Sequence, residues 1–83
     1  MNVDSLLNKL DKYVSKNSKD NIEEYELKVF NRDEKHTASI LANVVNGEIS
    51  SCKFATWEND LITSKQFNNH LEQYASGYTI VKH

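Results

Sequence analysis

The chain has 83 residues, of which 39% are hydrophobic and 27% charged, and its formal net charge is −2. A chain of this length makes one domain with a thin core, since it buries only about 60–65% of the surface its unfolded form exposes. The apolar content excludes a disordered chain, the slight acidity argues against a general nucleic-acid binder, and the single cysteine, Cys52, excludes an internal disulfide and favours a reducing, cytoplasmic setting.

Val3, Leu6, Leu7, Leu10, Tyr13 and Val14 recur at three- and four-residue intervals, which predicts a helix from residue 3 to about Lys16. Asn2 or Asp4 can cap its start by accepting from backbone N–H groups that lack an intrahelical partner. The polar run Asn17-Ser18-Lys19-Asp20-Asn21 ends it. Tyr25, Leu27 and Val29 then alternate with Glu24, Glu26 and Lys28, the period of a half-buried strand. After a charged turn from Asn31 to Lys35, the segment from Thr37 to Val45 can place Ala38, Ile40, Ala42 and Val44 on one face. Ser39, Leu41, Asn43 and Val45 take the other. Asn46-Gly47 is a hairpin signal, because both residues tolerate the positive φ of a type I′ turn. The third strand runs from about Glu48 to Thr56, and the change of phase between Ile49 and Cys52/Phe54 predicts a bulge near Ser50-Ser51. Cys52 reads as a small apolar residue of that strand.

The connector from Trp57 to Ile62 carries no signal of a regular element. Thr63-x-x-Gln66 has the form of a capping box opening a second helix. Its buried face would carry Phe67, Leu71, Tyr74, Ala75 and Tyr78, with Gly77 ending it. Thr79-Ile80-Val81 reads as a short closing strand or an ordered tail. The expected fold is α+β: a three-stranded antiparallel sheet, with or without a fourth short C-terminal strand, and two helices on one face. The order is α-β-β-β-α(-β), in a single domain spanning residues 1–83. No apolar run approaches the roughly 20 residues of a membrane span, and no signal-peptide core or lipidation motif is present.

The groups that catalysis or metal binding would bring together are scattered. His36 falls in the charged turn, His70 on the second helix and His83 at the terminus, with no His-x-x-x-His, Cys-x-x-Cys or carboxylate–His spacing. No metal or cofactor is therefore expected. Two isolated glycines, Gly47 and Gly77, cannot build a phosphate-cradling loop, and no serine lies in a nucleophile elbow. Glu23 and Glu24 are neighbours on a strand and point to opposite faces, so they do not make a catalytic carboxylate pair. The expectation is a binding protein, not an enzyme.

Three surface features remain. Lys9, Lys12 and Lys16 share one side of the first helix, as a solvated face or a phosphate-contacting stripe. Asp20, Glu23, Glu24, Glu26, Asp33 and Glu34 crowd around the first strand and its flanking loops, and Glu58 and Asp60 add to them from the connector. These acids read either as protection of an exposed sheet edge or as a negative patch that docks on a basic groove with electrostatic steering. Leu41 and Val45, with Phe30, would lie on the open face of the sheet as a partner or homodimer contact, unless the C-terminal segment covers them.

Two resemblances bear on function. The opening Met1-Asn2-Val3-Asp4-Ser5-Leu6-Leu7, together with the order helix, three strands, helix, resembles small phage-encoded anti-CRISPR proteins of the Listeria-prophage nuclease-inhibitor type. That resemblance implies a stand-alone acidic inhibitor acting in the host cytoplasm. It would occupy the basic nucleic-acid-binding groove of a CRISPR effector, with the acids named above as partner-binding residues and no direct nucleic-acid binding of its own. Met1 and the Asn- and Lys-rich composition agree with a complete small gene product of that kind. The same element order is similar to double-stranded RNA-binding domains, through Leu6-Leu7-Asn8-Lys9-Leu10, Tyr25-Glu26-Leu27, His36 and Ser64-Lys65. This second resemblance implies duplex RNA binding or dimerisation. Gln66-Phe67-Asn68-Asn69 stand where that family's phosphate-binding lysines continue.

Overall fold

Apolar residues at helical spacing make α1 (Val3–Asn17) in the computed structural model, which describes all residues from Met1 to His83. Asn2 caps the helix, its Oδ1 accepting from the Ser5 backbone N–H at 2.8 Å. The strands β1 (Ile22–Phe30), β2 (His36–Val45) and β3 (Glu48–Thr56) follow as an antiparallel meander. Helix α2 (Ser64–Tyr74) opens on the Thr63–Gln66 capping box with both reciprocal bonds made. The chain then returns as β4 (Gly77–Lys82), antiparallel to β1. The sheet order is β3-β2-β1-β4.

Alternation decides which face is buried. Tyr25, Leu27 and Val29 of β1 and Ala38, Ile40, Ala42 and Val44 of β2 join Leu6, Leu10 and Val14 of α1 and Phe67 and Leu71 of α2 in one core cluster. Both helices therefore lie on the same face of the sheet, and the other face is open. Each large side chain in this cluster contributes about 1.5–3 kcal/mol by leaving water. The fold is the α+β arrangement expected from the sequence, with the fourth strand present.

The local signals work as their chemistry requires. Asn46 and Gly47 both take positive φ, at 51° and 81°, which suits a type I′ hairpin. Asn43 pairs with Ser51 and Val44 with Ile49, leaving Ser50 as the extra residue of the expected bulge. A second bulge follows from Val29 pairing with Ala38 and Phe30 with His36, which leaves Thr37 unpaired. In the β1–β2 turn, Asn31 Oδ1 accepts from the backbone N–H groups of Asp33 and Lys35. Cys52 is half-buried on the helix side of the sheet, and burial pushes its thiol up, away from the reactive thiolate.

Two expectations are corrected. Helix α2 stops at Tyr74, with Ala75 already extended, so Gly77 does not end it, Tyr78 is not on its buried face, and Tyr74, in the last turn, is exposed. The free backbone edge of β1 decides this: pairing with residues 77–82 satisfies a whole row of donors and acceptors, which one more helical turn would not. That pairing also places β1 inside the sheet, so the acids around it do not guard an exposed edge; the edges are β3 and β4. No helix is long and apolar enough to cross a membrane.

Candidate partner-binding surface

The fold divides the eight acids singled out in the sequence between the two ends of the sheet. At the start of β1, Glu23 shares the alternation of Tyr25, Leu27 and Val29 and is buried against the helix side. Its carboxylate forms an ion pair with Lys82. It also accepts from Ser18 Oγ at 2.6 Å, from the backbone N–H groups of Lys19 and Asp20, and from the Tyr25 hydroxyl at 3.2 Å. Lys82 first, then Ser18, hold its carboxyl down at about 2. Glu23 is therefore closed to a partner. Its parity with the apolar residues of β1 was the available signal. Asp20 is exposed beside the same lysine, 3.6 Å from Nζ.

Glu24 and Glu26 point to the open face, but only Glu24 is free. Glu26 accepts from Ser39 Oγ at 2.6 Å and from His83 Nε2 at 2.8 Å, with His36 Nε2 at 3.9 Å. Burial works to raise its carboxyl, yet the hydrogen bonds from Ser39 and His83 outweigh burial and hold it below the usual carboxylate range. Two histidines far apart in sequence thus converge on one carboxylate. The arrangement is unsuited to nucleophilic catalysis. The Ser39 proton already goes to Glu26, and His36 Nε2 lies 3.0 Å from the Ala38 carbonyl as well as 2.6 Å from Ser39 Oγ, so this nitrogen carries a hydrogen and cannot accept one.

The other four acids gather at the opposite end. Asp33 and Glu34 lie in the β1–β2 turn and Glu58 and Asp60 in the β3–α2 connector, all exposed. The connector is ordered by backbone bonds: Trp57 N–H donates to the Thr37 carbonyl at 2.9 Å, Thr56 and Asn59 bond each other, and Ile62 N–H returns to the Phe54 carbonyl at 3.0 Å. This presents the Trp57 indole at 52% exposure. It packs edge-on against Tyr74, centroids 5.3 Å apart, and against His70 at 5.8 Å. His70 is fixed from beneath, its Nε2 2.7 Å from Thr37 Oγ1. Burial lowers the His70 pKa, and the nearby Glu58 partly opposes it.

Tyr74 is the hinge of this surface. It borders two shallow hollows, one with Arg32, Asp33 and Glu72 on its rim and the other with Glu58, Asn59 and Gln66. An exposed aromatic pair therefore stands between acids supplied by the β1–β2 turn, the connector and α2. The sequence pointed to Asp33, Glu34, Glu58 and Asp60 but not to Trp57 or Tyr74. A tryptophan flanked by two acids in a segment with no element of its own was the signal for the first. Tyr74 was hidden by its helical spacing.

The open face carries Leu41 and Val45 as expected, 40% and 43% exposed, together with Ile22, the cross-strand partner of Val45. The C-terminal segment leaves them uncovered because it pairs on the far side of β1. Phe30 is half-buried beside the His36 ring. No group of histidine, cysteine and carboxylate side chains is arranged to hold a metal ion. Compared with protein-family models, curated proteins and solved structures, the chain matches none.

Proposed function

We propose that the chain is a non-catalytic inhibitor that docks on a basic nucleic-acid-binding groove of a partner protein and keeps nucleic acid out. The observation that carries this reading is the exposed Trp57–Tyr74 pair, with Asp33 and Glu58 on the rims of the hollows beside Tyr74 and Glu34 and Asp60 exposed in the same two loops. Aromatic anchors of this kind supply most of the binding energy at protein interfaces, and acids around them steer approach to a positive surface. Trp57 would take an arginine or an apolar side chain of the groove, and the four acids its lysines and arginines. Glu24 and Asp20 lie at the far end of β1 and make at most peripheral contacts, while Glu23 and Glu26 hold the fold together. The bonding of Ser39, His36 and Glu26 supports a role without chemistry.

The resemblance of the first helix to phage-encoded inhibitors points to a CRISPR effector nuclease in the host cytoplasm as the partner. The test is displacement of labelled target DNA from purified effector nucleases. Wild-type protein displaces it from at least one, and Trp57→Ala weakens the effect by about 2 kcal/mol, roughly 30-fold in Kd. Displacement equally strong with Trp57→Ala, or none by the wild type from any effector, would contradict the reading.

A further inference from the structure

The two edges of the sheet are finished differently. The β3 edge is broken by the Ser50 bulge and covered at Phe54 by a backbone bridge to Ile62. The β4 edge has neither device. The His83 N–H donates to the Glu24 carbonyl at 2.9 Å, which sets the phase of the antiparallel ladder. Gly77, Thr79, Val81 and His83 thus turn their backbone groups towards β1, and Tyr78, Ile80 and Lys82 turn theirs outwards. Lys82, the charge that could discourage pairing at this edge, is held by Glu23.

Beside the free edge lies an open groove on the helix side. Lys9, Lys12, Tyr13 and Lys16 of α1 form one wall, with Tyr78 and Ile80 of β4 opposite. The Lys9 ammonium lies 5.8 Å from the centre of the Tyr78 ring. None of the three lysines is among the ion pairs of the structure, which all belong to Lys82, His36 and His83. A row of unneutralised cations therefore runs along an unpaired strand edge.

We infer that this groove takes an extended acidic segment of a partner protein, added antiparallel to β4 as a fifth strand. Main-chain bonds to the outward groups of Tyr78, Ile80 and Lys82 would supply affinity, and alternate acids facing α1 would supply specificity. Lys9 and Lys16 are about 10 Å apart along the helix and side chains on one face of a strand recur about every 7 Å, so two successive acids of such a strand fall within the length of the lysine row. A second copy of the chain does not fit. A two-fold pairing of β4 with β4 would bring both lysine rows onto the same face of the joined sheet, like charge against like. Nucleic acid would satisfy the lysines but offers no row of N–H and C=O groups at the strand repeat to pair with the outward backbone of β4.

Fluorescence anisotropy with a labelled peptide of alternating Glu and Thr tests this directly. In the antiparallel register the residues that bond β4 are those facing α1, so the Glu residues present their N–H groups to the edge and the Thr residues do not. Saturable binding is expected; methylating the Glu backbone nitrogens weakens it at least about tenfold, and methylating the Thr nitrogens leaves it unchanged. The triple variant Lys9→Glu/Lys12→Glu/Lys16→Glu loses about tenfold or more. If that variant fails to fold by circular dichroism, the methylated peptides decide the question with the protein untouched. Equal binding of the parent and Glu-methylated peptides, no saturable binding, or tighter binding of duplex RNA or single-stranded DNA of equal charge would overturn the inference.

Discussion

Glu23 and Lys82, from the first and last strands, form an ion pair on the helix side of the sheet, where Ser18 and Tyr25 also bond the carboxylate. The pair ties β4 to the entrance of β1 and so closes a sheet whose last strand is only six residues long. It also takes out of play one of the acids nearest to hand for a partner.

The pair makes stability depend on acid pH. Lys82 and Ser18 depress the Glu23 carboxyl from 4.5 to about 2 in the folded chain. Its contribution is therefore complete above the unfolded value and is lost as pH falls from about 4.5 towards 2. Urea midpoints for wild type and Glu23→Gln should differ at pH 7 and converge as pH approaches 2. At pH 7, Lys82→Met alone should lower Tm more than Glu23→Gln/Lys82→Met, because the single change leaves a buried carboxylate without its cation.

Core and cap energetics follow from burial. Phe67 is fully buried and packs on Phe54 with centroids 5.1 Å apart. Phe67→Ala should cost about 3–5 kcal/mol in urea unfolding. Thr63→Ala removes the capping box of α2 and should cost about 1 kcal/mol. Equal losses at the two sites would mean that α2 is not seated in the core as described.

Trp57, the one tryptophan, reports on His70 beneath it. Burial makes the neutral imidazole the favoured form in the fold, with Glu58 opposing. Since the folded pKa lies below the ordinary 6.5, protonation destabilises the packed arrangement as pH falls past that value. Trp57 emission should drop on acidification with a midpoint below 6.5, as the imidazolium quenches the indole. His70→Gln should remove the transition, and Glu58→Gln should move it lower.

Most of the fold was legible in the residues because it is written locally. Helical spacing gave α1, alternation gave β1 and β2, Asn46-Gly47 gave the hairpin, and Thr63-x-x-Gln66 gave the start of α2. Strand β4 was only half legible. The apolar spacing of α2 continues through Tyr78, and Gly77 looks like a helix stop; only the vacant edge of β1, a long-range fact, turns that stretch into a strand. The candidate surface was less legible still. Acids close in sequence suggest one patch, whereas β1 is nine residues long and separates its two ends by about 27 Å. Alternation further sends Glu23 inwards and Glu24 outwards. The convergence of His36 and His83 on Glu26, and of Trp57, His70 and Tyr74 on one another, depends on strand register and on where the connector turns back.

The central claim is that the surface around Trp57 and Tyr74 meets a basic groove. It is tested most directly by association rates with a CRISPR effector nuclease, measured across salt for wild type and for Glu58→Lys/Asp60→Lys. The wild-type rate should fall steeply with salt, and the charge-reversed variant should be slower by about tenfold or more at low salt, with the two converging as screening grows. Salt-independent rates that are equal for the two proteins would contradict it.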